Sequence, residues 1–249
     1  MSRPAPRLFV EDPLSAGAEV RLEAGPAHYL AQVLRLKPGA DVRLFNGRDG
    51  EWRAALTEAA KRACALSVET QTRDQQTPPP LTLAFAPLKK SPMDFLIQKA
   101  TELGATALQP VLTERTETQR LNTERIGAQL REAAEQCERL DIPEIAAPVK
   151  LPAFLKSWPA SGVVWAGDET GGGLPLAAHA EDAPNPARHP HAILIGPEGG
   201  FTAGELASLD GLTFVRRIHL GPRILRAETA ALAALTCWQG LFGDWPRIN

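Results

Sequence analysis

Two short glycine-bearing loops near the C-terminus hold the residues best suited to chemistry. The first is ILIGPEGGFTAGEL, Ile193 to Leu206, and the second is HLGPRILRAETA, His219 to Ala230. In the first, Gly196, Gly199 and Gly200 let the backbone approach a ligand closely, and Pro197 stiffens the turn. In the second, a Gly-Pro turn joins an apolar run to a helix-forming one. Neither contains GxGxxG or GxxxxGK[ST], so a nicotinamide or ATP phosphate cradle has no specific support. Two carboxylates, Glu198 and Glu228, and two cations, Arg223 and Arg226, accompany the loops. Such groups can accept a proton, stabilise an anion or orient a polar substrate. Each has a structural alternative: Glu198 can cap backbone amides, Glu228 falls in a helix's first turn where a carboxylate favours the dipole, and the glycines can serve tight packing alone.

The charge pattern sharpens and limits this reading. Net charge is −2, which counts against a protein that coats nucleic acid. Between Asp210 and Glu228, however, Arg216, Arg217, Arg223, Arg226 and His219 occur with no acidic residue among them, a one-signed stretch whose plain reading is a solvated surface. Cys64, Cys137 and Cys237 are odd in number and far apart, which predicts reduced, packed thiols and neither a disulfide framework nor a zinc site. His189 and His191 lack further ligands at a recognisable spacing, so no metal is expected. No apolar run reaches the roughly 20 residues of a membrane span, and the start MSRPAPRLFV has no apolar signal core, which predicts a cytoplasmic protein without a membrane partner.

The elements that must position the loops follow from periodicity. QTRDQQTPPP, Gln71 to Pro80, resists helix and sheet and predicts a boundary near residue 75: a first domain over 1–72, a linker over 73–80 and a second domain over 81–249. Before the boundary come five β-type runs: RLFV, EVRLE, DVRLFNG, EWRAALTE and CALSVET. Asn46-Gly47 and Asp49-Gly50 signal a hairpin between the third and fourth. One helix, PAHYLAQVLRL, places Leu30, Val33 and Leu34 on one face. That inventory fits a small barrel. After the boundary strand and helix alternate. LTLAFAPL, ATALQPVL, GVVWAG, HAILIG and TFVRRIHL are strand candidates, several apolar on both faces as parallel strands are. SPMDFLIQKATELG predicts a helix with Ser91 as N-cap, Pro92 at its first position and Gly104 as terminator. NTERIGAQLREAAEQCERL predicts a long helix, TAGELASL a helix with a Thr202/Glu205 capping box, and AETAALAALTCWQGLF the last. The order predicts an α/β domain with a mainly parallel sheet, and both glycine loops then stand at strand C-terminal ends, where such sheets place ligands.

Taken together, GPEGGFTAGEL followed by LGPRILRAETA resembles the SPOUT class of methyltransferases, in the form of the ribosomal RNA small subunit methyltransferase E family. RLFV, HYLAQVLRLKPGADVRLFNGRDGEW, LKKSPMDFLIQKATELGA, ERTE and REAAEQCERLDIPEI extend the resemblance along nearly the whole chain. It implies a PUA-like β-barrel in front, a C-terminal α/β domain threaded into a trefoil knot, and transfer of a methyl group from S-adenosylmethionine to N3 of a uridine in 16S rRNA. By position, Ile195, Gly196, Pro197, Glu198, Gly199 and Gly200 would line one side of the cofactor. Leu220, Gly221, Ile224 and Leu225 would line the other, with Leu194 and Gly167 further out.

That reaction needs an acceptor for the N3 proton and groups that stabilise the resulting anion. Arg226 is expected to orient the base or a phosphate, and Glu198 or Glu228 to take the proton. Arg7, His28, Arg35, Gln136, Arg139 and Arg223 are expected RNA contacts, as is the hairpin from Asn46 to Trp52. Lys89, Lys90, Lys99, Glu102 and Arg115 match family positions whose role can be folding alone. Recognition of a folded ribosomal surface by shape and a few arginines would reconcile RNA binding with the net charge. A homodimer is implied, with Leu232, Leu235, Trp238 and Leu241 of the last helix as interface or as core. Two rivals stay open: an RNA-binding protein without catalysis, and a nucleotide-binding enzyme in which GPEGG holds phosphate.

Overall fold

The computed structural model describes residues 5–117 and 120–245, so the first four residues of the start discussed above lie outside the described residues. The chain divides into two compact units. One comprises the residues up to Thr77 together with Ala134–Ile142, and the other Pro78–Ala133 together with the chain from Pro143 onward.

The first unit is a five-stranded sheet with β1 (Arg7–Phe9), β2 (Glu19–Glu23), β3 (Asp41–Phe45), β4 (Glu51–Ala59) and β5 (Ala63–Arg73) in the order β1-β3-β4-β5-β2. Among the described residues β1 and β2 remain edges, so the expected barrel is open on one side. Alternation builds its core: in β2, Val20 and Leu22 point inward and Glu19, Arg21 and Glu23 outward, and Leu30, Val42, Leu44, Leu56 and Leu66 complete it. The β3–β4 turn is held by Asn46, whose Oδ1 accepts from the amides of Arg48 and Asp49.

The helix expected over PAHYLAQVLRL is shorter and changes type. Ala24–His28 (α1) is α-helical and Tyr29–Val33 is a π-turn, closed by the Leu34 amide on the Tyr29 carbonyl. The wider turn rotates Val33 off the buried face, leaving it 59% exposed while Leu30 is fully buried.

Sequence placed the boundary near residue 75, with a linker over 73–80; β5 runs to Arg73, the first unit extends to Thr77, and the segment Ala134–Ile142, which carries no such mark in the sequence, also joins it. Arg7 explains why. Its guanidinium is buried, paired with the fully buried Glu51 at 2.6 Å, and donates to the carbonyls of Ala134, Glu135 and Arg139. Burial alone would raise the Glu51 carboxyl, but hydrogen bonds from Arg7 and Thr72 and the charges of Arg7 and Arg43 hold it below the usual range. Arg7 is therefore not available to RNA, contrary to the sequence expectation.

In the second unit β6 (Leu81–Phe85), α2 (Lys90–Glu102), β7 (Ala107–Leu112) and α3 (Thr123–Gln136, whose last residues from Ala134 count with the first unit) come first. Short β8 (Glu144–Ile145), β9 (Val149–Lys150) and α4 (Leu151–Ser157) follow, none of them expected from sequence. The chain continues through β10 (Val163–Gly167), β11 (Leu174–Pro175), a 3-10 turn (Leu176–His179), β12 (His191–Ile195), α5 (Ala203–Asp210), β13 (Val215–His219) and α6 (Ala227–Phe242). The strand order is β11-β13-β10-β12-β6-β7-β8, with β9 also on β7, and every ladder is parallel. The apolar strands are buried on both faces as expected: all of His191–Ile195 is buried. α2 starts two residues earlier than Ser91 suggested, with Lys89 as an N-cap that makes no side-chain bond. The α5 capping box is present, Thr202 and Glu205 each bonding the other's amide.

The last helix is core rather than a free face. Leu235 and Trp238 are buried, Leu232 and Leu241 half-buried, and α6 packs on α2 and β12. Of the cysteines, Cys64 is packed but Cys237 is exposed, because its position on α6 faces away from the sheet.

Candidate functional site

Because β12, β10 and β13 are adjacent and parallel, their C-terminal ends open on one edge of the sheet. Three loops leave there, Asp168–Gly173, Gly196–Thr202 and Leu220–Arg226, and together with the start of α6 they enclose a cavity of about 620 Å³. That size and position suit a small-molecule ligand.

The β10 loop forms a part of the wall from which sequence suggested only Gly167. Asp168 is 6% exposed, and its carboxylate accepts from the Thr170 amide and hydroxyl and the Gly172 amide. Arg217 Nη2 and Nε both donate to Asp168 Oδ2, at 2.8 and 3.1 Å. Burial would raise this carboxyl, yet the bonds from Thr170 and Gly172 and the Arg217 charge together hold it below the usual carboxylate range. The Thr-Gly-Gly-Gly stretch is thus folded around a buried anion. Its signal in the sequence was Asp168 followed closely by Thr170 and glycines, an arrangement in which a carboxylate can bond the backbone just ahead.

The β12 loop turns through a Gly200 amide bond to the Pro197 carbonyl, with Gly200 at φ +67. A Cβ at Gly196 would stand 3.0 Å from the Phe201 ring, so this glycine keeps the loop against its own aromatic anchor. Of the expected cofactor residues here, Ile195, Gly196, Pro197, Glu198 and Gly200 line the cavity. Leu194 is fully buried in the core beneath, and Gly199 is exposed, its carbonyl held by Arg115 at 2.6 Å; neither lines it. The alternation of a strand and the geometry of a tight turn separate neighbours that are contiguous in sequence.

The β13 loop contributes Leu220, Gly221, Ile224 and Leu225 as expected, with Gly221 at φ +98 and Ile224 86% exposed. Gly167, Pro222 and His219 also line the cavity, as do Ala227 and Ala230 at the head of α6. These two alanines bring the first turn of the helix close, where backbone amides lack intrahelical partners.

Among the charged candidates, Glu198, Arg223 and Arg226 line the cavity and are exposed, with Arg226 also the N-cap of α6. Glu228 does not line it; it sits in the first turn of α6, the position in which its charge favours the helix dipole. The one-signed arginine stretch is divided by the fold. Arg217 is bound to Asp168 and Asp210, and Arg216 to Asp182, so only Arg223 and Arg226 of the four face the cavity.

In the first unit His28 and Arg35 are exposed, Arg35 at φ +55, and Gln136 is exposed. Arg139 is largely covered, with its guanidinium on Asp141. Among the described residues no group of three or more His, Cys, Asp or Glu is placed to hold a metal, and no helix is long and apolar enough to cross a membrane.

The cavity can be tested for fit to a nucleoside with an amino-acid tail. Glycine and alanine faces leave room, backbone amides supply donors, and Ile195, Leu220, Leu225 and Ile224 supply apolar wall. Its lining contains no lysine, whereas a phosphate cradle of the P-loop kind would need one.

Comparison with known proteins agrees. An RNA methyltransferase domain family matches residues 75–239, and an RNA methyltransferase PUA domain family matches residues 26–69. The ribosomal RNA small subunit methyltransferase E of Rickettsia conorii is 33% identical over 233 residues, covering 92% of this chain and 93% of the relative. That of Synechocystis is 37% identical over 239 residues, covering 92% and 75%. The crystal structure of the Neisseria gonorrhoeae enzyme of that name, bound to S-adenosyl methionine, superposes with a TM-score of 0.87 at 30% identity over 97% of this chain and 100% of that one. A Legionella pneumophila methyltransferase in complex with the same cofactor gives 0.87 at 27% identity, over 98% and 100%. Sequence and fold converge, and the chain belongs to the ribosomal RNA small subunit methyltransferase E family.

Proposed function

We propose that this chain methylates N3 of a uridine in 16S rRNA of the small ribosomal subunit, using S-adenosylmethionine held in the three-loop cavity. The observation that carries the reading is the convergence of the β10, β12 and β13 loops on one cavity, within a chain whose relatives carry that name. The cofactor supplies an electrophilic methyl group on a sulfonium sulfur. Everything else falls to the chain. Ile195, Gly196, Pro197 and Gly200 would hold one side of the cofactor and Leu220, Gly221, Ile224 and Leu225 the other. Binding in a fixed pose lowers the entropic part of the barrier.

The uridine N3 carries a proton at neutral pH. Glu198, exposed within the cavity wall, is the better placed of the two glutamates to accept it. Arg226 and Arg223, on the same wall, would orient the base and pair with phosphate. In the first unit His28 and Arg35 offer exposed polar groups to RNA, and Gln136 and Arg139 are further candidates. On this reading residues up to Thr77 serve mainly RNA holding and those from Pro78 mainly catalysis, in a cytoplasmic setting where ribosomes are made.

The chain's path supports a trefoil knot. From β12 it passes beyond β10 to reach β13, then returns through α6 to pack on β12 and α2. We also read the active form as a homodimer, in keeping with the exposed Phe95, Leu174 and Trp245; light scattering at micromolar concentration would give twice the chain mass.

The deciding experiment is incubation of the purified protein with labelled S-adenosylmethionine and small ribosomal subunits lacking the modification, followed by nucleoside analysis. Label in 3-methyluridine is expected. Label in another nucleoside, or in none, would overturn the assignment.

A further inference from the structure

Arg115 lies in a turn that braces the β12 loop from outside the cavity. The turn is closed on itself by the Thr116 amide on the Thr113 carbonyl and by a 2.9 Å contact between the two threonine hydroxyls. It is fixed to the loop at two points. The Glu114 amide donates to Glu205 Oε1 at 2.9 Å, while the other oxygen of the same carboxylate takes the Thr202 amide at 2.9 Å. Arg115 Nη1 donates to the Gly199 carbonyl at 2.6 Å, and its aliphatic stem runs past Gly199, where a Cβ would lie 3.4 Å from Arg115 Cδ. Between those two fixed points lie Gly200 and Phe201, the former in the cavity wall.

The guanidinium uses one donor on Gly199 and retains others. Arg115 is exposed, and among the described residues no carboxylate forms an ion pair with it; nearby Glu117 is taken by Lys89 at 3.5 Å. An arginine with one edge on a backbone carbonyl and a free edge toward solvent is suited to bind a phosphate through that free edge.

We propose that Arg115 is a positioning residue that couples substrate RNA to the cofactor loop: a backbone phosphate on its outer edge fixes the guanidinium, and with it the Gly199–Gly200 peptide in the cavity wall. This rests on the methyltransferase reading above. A lysine keeps the charge but offers a single point and cannot bridge phosphate and carbonyl with the same planar fork.

The test is the affinity for S-adenosylhomocysteine measured by calorimetry with and without saturating small ribosomal subunits, for wild type, R115K and R115A. In the wild type the RNA should tighten the ligand by about fivefold or more, the lower end of ordinary coupling between sites. In R115K and R115A that gain should disappear, with the thermal midpoint unchanged. A merely structural brace would weaken the ligand equally with and without RNA. That result, or a wild type with no gain, or an R115K that keeps it, overturns the proposal. Failure of the underlying reading looks different: the wild type would not bind S-adenosylhomocysteine at all.

Discussion

The two ends of the parallel sheet are built on opposite principles. At the C-terminal end of β10, β12 and β13, glycines, exposed charges and backbone turns surround an open cavity. Toward the other end, Trp165, His191, Trp238 and Phe242 close on one another without exposure above 8%. Trp165 and Phe242 are stacked with centroids 5.7 Å apart, and His191 meets Trp238 edge-on. α6 joins the two, starting at the cavity with Ala227 and ending in the cluster with Trp238 and Phe242. Stability is concentrated where no ligand is needed, which leaves the loop end free to keep left-handed glycine turns and exposed polar groups around the cavity.

The sharpest way to break this contrast is at the aromatic end. Trp238→Ala removes a fully buried ring and a donor to His191, and should cost about 4 kcal/mol of stability. Chemical denaturation would measure this, while cofactor affinity of the folded fraction stays within about twofold. A mutant that lost affinity at unchanged stability would contradict the division.

The pH dependence comes next. His191 Nδ1 accepts from Trp238 Nε1 at 2.8 Å and from Trp165 Nε1 at 3.3 Å, while Nε2 donates to the Pro184 carbonyl at 2.9 Å. Burial, with smaller contributions from His189 and Arg216 against the opposing Pro184 bond, brings its pKa down to about 4. The unfolded chain takes up this proton near pH 6.5 and the folded one only near 4. The neutral ring's contribution is therefore complete above pH 6.5 and lost as pH falls from 6.5 toward 4, by up to about 3 kcal/mol. Denaturation midpoints across that window should fall in the wild type, and much less in His191→Gln.

At the loop end, Gly200→Val places a β-branched residue at φ +67 in the cavity wall. Strain of about 2–3 kcal/mol there should weaken S-adenosylhomocysteine by roughly a hundredfold, and hydrogen exchange at Trp165 and Trp238 should not change. The smallest effect on stability is expected at the two glutamates, which turnover separates. Glu228→Gln should cost no more than about 0.5 kcal/mol of stability through the helix dipole and leave turnover intact, whereas Glu198→Gln should lower turnover by about a hundredfold at unchanged cofactor affinity.

The same contrast explains what could be read before the fold was known. Periodicity found every long strand and helix, and the two glycine loops were visible because GPEGG and LGPR break an apolar rhythm abruptly. The third loop was not, since Thr170–Gly173 reads as flexible until Arg217, distant in sequence, is seen to bury Asp168. Arg7 misled for a similar reason: one arginine at the start of a strand carries no mark of the Glu51 carboxylate that buries it. β8, β9 and α4 are too short to show a period. Contacts between remote residues, such as those of Ala134–Ile142 with the first sheet, have no local signature at all.

The most direct test of the three-loop site is hydrogen exchange followed by mass spectrometry with and without saturating S-adenosylhomocysteine. Protection should rise together in Asp168–Gly173, Gly196–Thr202 and Leu220–Ala230, and remain unchanged in β1 to β5. Protection confined to one of these loops, or appearing elsewhere in the chain, would contradict the account.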